Sequence, residues 1–165
     1  MAALVGMLIT AFVGSASAQN DPNLDIKLVA KKVVKDSQGK EQMLPGNKAK
    51  PGEVLEYTAS YRNKTDDTLR KLAPTVPIPA GTKYIGGSAK PKIKFATIDG
   101  ANFLPVPLMK TVTSADGKQV RVKVAPSEYR AVRWAPVDLP AKQTVTVKMR
   151  TRIDPADAPT TAAKQ

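Results

Sequence analysis

"KPGEVLEYTASYRNKTDD", residues Lys50 to Asp67, opens on a Pro-Gly turn and then alternates in period two. Leu55, Tyr57, Ala59 and Tyr61 share one parity; Val54, Glu56, Thr58, Ser60 and Arg62 share the other. Successive side chains of a strand point to opposite faces, so the first set is a core face and the second an outer one. Asn63 to Asp67 supplies turn formers, whose short polar side chains bond their own backbone. The run is one half-buried strand bounded by two turns, and its tyrosines are predicted to be core.

The same period extends outward. Residues 23–34, "NLDIKLVAKKVV", place Leu24, Ile26, Leu28 and Ala30 on one face and Asp25, Lys27 and Val29 on the other. "KIKFATI" sets Ile93 and Phe95 against Lys92 and Lys94, and "KQVRVKV" sets Val120, Val122 and Val124 against Arg121 and Lys123. In "QTVTVKMRTRI", Val145, Val147, Met149 and Ile153 share a face. Asp-Gly pairs at 99–100 and 116–117 are hairpin signals. Pro74, Pro77 and Pro79 cannot donate to a ladder and mark a short edge strand that runs into a loop. Seven to nine short strands with regular turn signals predict an all-β, antiparallel β-sandwich, with a closed barrel as the alternative.

The N-terminus bounds the compartment. Ala2 to Val13 is almost continuously apolar, no charged side chain precedes Asp21, and small residues occupy Ala16-Ser17-Ala18. This reads as a secretory signal peptide over residues 1–18, too short for a membrane anchor of about 20 apolar residues. An exported location follows as an expectation: periplasm, cell surface or extracellular space, with no transmembrane segment after cleavage. The remaining 147 residues (165 less 18) suit one domain of the usual size, roughly 100–200 residues. Residues 19–49 read as an N-terminal strand and turn region, 50–153 as the main domain, and the Pro/Ala/Thr-rich 154–165 as a flexible tail.

Composition removes whole classes of chemistry. The chain has no Cys and no His, so disulfides, thiolate nucleophiles, Ser-His-Asp triads and ordinary zinc or copper sites are excluded. Glu53 and Glu56 lie three apart, on opposite faces of a strand, and make a poor acid-base pair. Asp66 and Asp67 offer hard oxygens, but no spaced acidic loop completes a calcium shell, and turn chemistry explains them. No motif ties Ser60 or Ser88 to a lysine. No catalytic, cofactor or metal site is assigned, and a non-enzymatic protein is expected.

The charge does point somewhere. Twenty-six basic against fourteen acidic residues give +12. Lys92, Lys94, Arg121, Lys123, Lys148, Arg150 and Arg152 all alternate with apolar residues, which directs them outward. They are a candidate face for a polyanion such as an anionic glycan or lipopolysaccharide; a solvated, aggregation-resistant surface is the plainer reading. Only seven aromatics follow the leader, most at core parity, so the stacking platform of a single-strand nucleic-acid binder is missing. Tyr129 and Trp134 in "SEYRAVRW" invite a carbohydrate-stacking reading, but five apart they fall on opposite faces of a regular strand. Trp134, on the parity of Val132, is expected to be core, which leaves Tyr129 free to be exposed, and structure is favoured over ligand stacking. Leu24, Ile26 and Leu28 form a candidate pairing or donor strand, joining its own sheet or that of another copy or another envelope protein.

An ordered set of features runs through Pro51-Gly52, Tyr57, Asn63, Pro79-Ala80-Gly81-Thr82, Tyr84, Ser88, Trp134, Leu139-Pro140-Ala141 and Val145 to Ile153. In this the chain resembles the bacterial conserved-repeat family, domain of unknown function number eleven, over about Lys50 to Ile153. Ala141 stands where that family usually carries Gly, and the run before the Pro-x-Gly turn lacks its usual Asp. The resemblance implies an immunoglobulin-like β-sandwich of the bacterial surface or envelope. It carries no catalytic residues over.

Overall fold

The computed structural model describes residues 22–155, so the expected leader and most of the expected tail lie outside the described residues. The fold is all-β and antiparallel throughout. β1 (Leu24–Lys35), β2 (Glu41–Pro45) and β3 (Val54–Asn63) open the chain, followed by β4 (Leu69–Leu72), β5 (Thr75–Pro77) and β6 (Thr82–Tyr84). β7 (Phe95–Thr97), β8 (Leu104–Pro105), β9 (Met109–Thr113) and β10 (Gln119–Lys123) make up the middle. β11 (Ala131–Arg133), β12 (Val137–Leu139) and β13 (Thr144–Ile153) close it. These thirteen strands exceed the seven to nine that periodicity predicts. The surplus includes strands of two or three residues such as β6, β8 and β12, which are too short to display a period.

A five-stranded sheet runs β2-β1-β3-β13-β6 and a four-stranded sheet runs β5-β11-β7-β8. β9 with β10, and β4 with β12, form separate two-stranded ribbons. β3 is the centre of the larger sheet, with β1 on one side and β13 on the other, and the register opposes Leu28 to Ala59 and Val147 to Ala59. The predicted parity holds: Leu55, Tyr57, Ala59 and Tyr61 are buried, as are Val147 and Met149 of β13. They meet Val76 of β5, Ala96 of β7 and Val132 of β11 in a single cluster, so both sheets contribute to one core. β5 carries Pro77 at the edge of its sheet, where a missing donor costs no ladder bond. The two Asp-Gly turns join β7 to β8 and β9 to β10, as expected.

Trp134 is buried, and its Nε1 donates to the Pro91 carbonyl at 2.6 Å. Tyr129 is buried too, against expectation, and stacks on Tyr84 with ring centroids 6.0 Å apart. The parity argument fails there because Tyr129 ends a 3-10 turn over Pro126–Glu128 and lies outside any strand. Asp154, the first residue of the expected tail, donates its N–H to the Gly81 carbonyl and pairs with Lys83 at 3.3 Å; residues 156–165 lie outside the described residues.

Two buried polar residues set the balance of the interior. Asn63, with no exposed surface, donates from Nδ2 to the carbonyls of Asp67 (2.7 Å), Leu139 (3.0 Å) and Pro140 (3.0 Å). Its Oδ1 accepts from the Thr65 N–H and the Thr65 hydroxyl. Thr151 is equally buried, yet its hydroxyl has no partner among the described residues. An unpaired buried polar group costs roughly 1–3 kcal/mol, whereas an isosteric apolar replacement removes the cost. Urea unfolding therefore gives opposite shifts at these positions. Asn63→Asp, which removes the donor, lowers stability by about 3 kcal/mol or more. Thr151→Val, which keeps the shape and the β-branch, raises it by about 1 kcal/mol.

Candidate polyanion face and pairing strand

The seven cations read from the sequence do not share one face. Lys148, Arg150 and Arg152 lie on β13 in the five-stranded sheet, on the face opposite the core. Lys94 precedes β7, where its N–H donates to the Arg133 carbonyl, and Lys92 sits two residues earlier, outside any strand. Arg121 and Lys123 are exposed on the separate β9–β10 ribbon. Period two sets which way a side chain points within its own strand, and says nothing of which sheet that strand joins.

Where cations do gather, acids accompany them. The Arg150 guanidinium grips Glu41 of β2 through both Nη atoms at 2.7 Å, and its Nε donates to Glu56 of β3 at 2.9 Å. Lys148 lies 3.6 Å from the same Glu56, and Arg152 donates to the Gly52 carbonyl at 2.9 Å. Glu41 sits three strands away from β13 in the sheet order, so the β1–β2 end curls over the outer face to reach it. On the other side the loop after β6 is pinned to β13: Ile85 N–H donates to the Arg150 carbonyl, and the Arg150 N–H to the Ser88 hydroxyl. Between these walls lies a groove of about 620 Å³ with Arg150 and Glu56 among its lining residues.

Lys35, Lys90 and Lys148 also line this groove. Of the predicted cations, only Lys148 and Arg150 belong to it; Lys35, Lys90 and Glu41 escaped the sequence reading. The turn "DSQGK" does place Lys35 opposite Glu41, as the β1–β2 register has it. The curl that brings Glu41 to Arg150 is a tertiary property with no local signal. The Arg150 bond, the strongest influence, holds the Glu41 carboxyl below its usual range, with help from the nearby charges of Lys35 and Lys90. Arg150 is held above its ordinary value chiefly by the bond to Glu41.

Other acids are tied into the frame. Glu53 pairs with Lys32 at 2.7 Å, on the opposite side of the sheet from Glu56. Asp66 pairs with Lys142 at 2.9 Å, and the Asp67 carbonyl is an acceptor for Asn63. Asp99 accepts from the Thr97 hydroxyl, the Asn102 side chain and the N–H groups of Ala101 and Asn102, which together depress it far below a free carboxyl. Among the described residues no group of three or more acidic side chains is placed to hold a metal ion.

The candidate pairing strand joins its own sheet. β1 runs antiparallel to β3 from Leu24 to Val33, and β2 covers its other edge only over Lys31–Lys35. Leu24, Ile26 and Leu28 share the parity of the core face, yet Ile26 is 45% and Leu28 47% exposed, because the second layer does not extend over them. No helix among the described residues is long and apolar enough to cross a membrane. Neither a family model, nor a curated protein, nor a solved structure matches the chain.

Carboxyls with depressed values make stability depend on acid in a defined direction. Asp36, Glu41, Glu53, Asp99, Asp116 and Glu128 are all lowered by hydrogen bonds in the folded state. Their contribution is complete above the unfolded values of about 4 and is lost as pH falls through the lower folded ones. With no histidine, no side chain of ordinary pKa titrates between about pH 5 and 8. The urea midpoint is expected to stay flat across that window and to fall below about pH 4. Asp99→Asn and Glu41→Gln should each flatten the acid limb.

Proposed function

We propose that the chain is a non-enzymatic, exported, immunoglobulin-like β-sandwich with a structural or interaction role in the bacterial envelope or extracellular matrix. The observation that carries this reading is the pair of exposed apolar side chains, Ile26 and Leu28, that stand side by side on the core-parity face of β1 where β2 does not cover the strand's other edge. Ile26 is 45% and Leu28 47% exposed, and Leu24, next on the same face, is partly buried. A soluble domain tolerates single exposed apolar residues, but a contiguous group marks a contact surface. The apolar leader and the family-like order of Pro51-Gly52, Tyr57, Asn63, Trp134 and the final strand support the compartment and the sandwich class.

A second reading rests on the groove. Lys35, Lys90 and Lys148 line a concave surface whose acids, Glu41 and Glu56, are already bonded to Arg150. Such a site suits a sulfate, phosphate or carboxylate group of an envelope glycan or lipid.

Cell fractionation and column binding separate the two. In the first reading the tagged chain is recovered shortened at its N-terminus, outside the cytosol and with the envelope or matrix fraction. Full-length protein confined to the cytosol overturns it. In the second, retention on heparin or lipopolysaccharide collapses with ionic strength and falls in a Lys35→Ala, Lys90→Ala double variant. Retention reduced equally by Arg121→Ala with Lys123→Ala would indicate diffuse attraction and remove the groove from consideration.

A further inference from the structure

We infer that two copies of this chain pair through the free edge of β1, in a two-fold register centred on Ile26, to make one continuous sheet. The inference deepens the structural reading above and rests on it. Three independent features of the strand converge on that register.

The first is the direction of the backbone groups. The Asn23 carbonyl accepts from the Lys64 N–H, toward β3, while the Asp36 N–H donates to the Lys40 carbonyl, toward β2. Alternate residues of an antiparallel strand bond to the same side. Odd-numbered residues of β1 are therefore bonded to β3, and Leu24, Ile26 and Leu28 aim their N–H and C=O groups at the uncovered side. Among the described residues no strand pairs with that side before Lys31.

The second is the length of the opening. The turn after β2 closes over β1 at Ala30: a Cβ on Gly46 would stand 2.6 Å from the Ala30 carbonyl oxygen. The edge is thus free from Leu24 to Leu28, five residues, and their centre is Ile26. A strand added there makes its bonds at Leu24, Ile26 and Leu28.

The third is charge. In a two-fold register about Ile26, Leu24 faces Leu28 of the second copy and Ile26 faces Ile26, joining the exposed apolar side chains of both. On the other face Asp25 opposes Lys27 of the second copy, twice. Moving the centre by one residue sets Lys27 against Lys27, and like charges directly opposite each other destabilise a strand pair. That register would also need Ala30, which is covered. Complementary charge, bonding direction and opening length select the same register and the same occupant.

A chain without cysteine gives a clean test. Single variants Asp25→Cys, Ile26→Cys, Lys27→Cys and Leu28→Cys are oxidised as purified proteins, and sedimentation follows the parent chain across concentration. In the inferred register the two Ile26 Cα atoms lie about 5.5 Å apart, within disulfide reach, and the crosslink peaks there. Asp25→Lys weakens the dimer by roughly tenfold or more, as does Lys27→Asp, while an equimolar mixture of the two variants recovers it as a heterodimer. Circular dichroism confirms that each variant is folded. A parent chain that stays monomeric at every concentration overturns the inference, as does a crosslink maximum at Lys27→Cys or no crosslink at any position. An exported, envelope-associated monomer leaves the structural reading standing and removes only the pairing. A dimer confined to the cytosol does the reverse.

Discussion

The amide of Asn63 is the constraint on which the rest of the structure depends. β3 lies at the centre of the larger sheet, and its last residue ends inside the protein rather than at the surface. The chain must turn there, and so must the connection from β12 to β13 that passes beside it. Both turns leave carbonyls facing inward. One side chain answers them: Nδ2 reaches the carbonyls of Asp67, Leu139 and Pro140, while the Asn63 N–H donates to the Gln143 carbonyl. Asparagine alone among side chains of this size offers two N–H donors with an acceptor beside them, the acceptor here closing the turn at Thr65. Aspartate has the shape without the donors, and leucine has neither.

With that end fixed, β3 holds its two neighbours in register and presents its tyrosines to the second layer. Tyr61 does more than fill space. Its hydroxyl donates to the Thr75 carbonyl at 2.7 Å and accepts the Thr75 N–H at 3.1 Å, so a side chain of one sheet supplies bonds to an edge strand of the other. The Trp134 N–H makes a comparable link to Pro91. The two layers are tied by directed hydrogen bonds as well as by apolar contact. A core held this way resists sliding, which matters in a chain that has no disulfide to fix the relative position of its sheets.

These dependencies explain what the sequence discloses. Alternation is a local property, and it placed Leu55, Tyr57, Tyr61, Val147 and Met149 in the core correctly. Turn chemistry is also local, and Asn63 to Asp67 and the Asp-Gly pairs were legible for that reason. The short strands β6 and β12 were not, since their pairing, with β13 and β4, is imposed by neighbours distant in the chain. Tyr129 misled because a 3-10 turn interrupts the parity. Arg150 misled in another way: its outward direction was right, but the Glu41 that occupies it arrives from a strand 109 residues away in sequence. Exposure in a strand pattern records which face a residue takes, and the charge it meets on that face belongs to the assembled sheet.

The same distinction bears on how a charge of +12 is distributed over the fold. Excess like charge opposes association, yet the positive charge is spread over β13, the β9–β10 ribbon and the approach to β7, and Arg150 is offset within its own sheet by Glu41 and Glu56. At the β1 edge the local balance differs from the global one. Asp25 and Lys27 are adjacent in parity, the apolar pair Ile26 and Leu28 lies beneath them, and the neighbouring strand stops short at Lys31. Natural edge strands are usually blocked by inward charge, proline or a bulge. β1 has none of these between Leu24 and Leu28, its Asp25 and Lys27 pointing away from the core face. Over Leu24–Leu28 the edge of β1 therefore has none of the usual blocks and carries both signs of charge on one face.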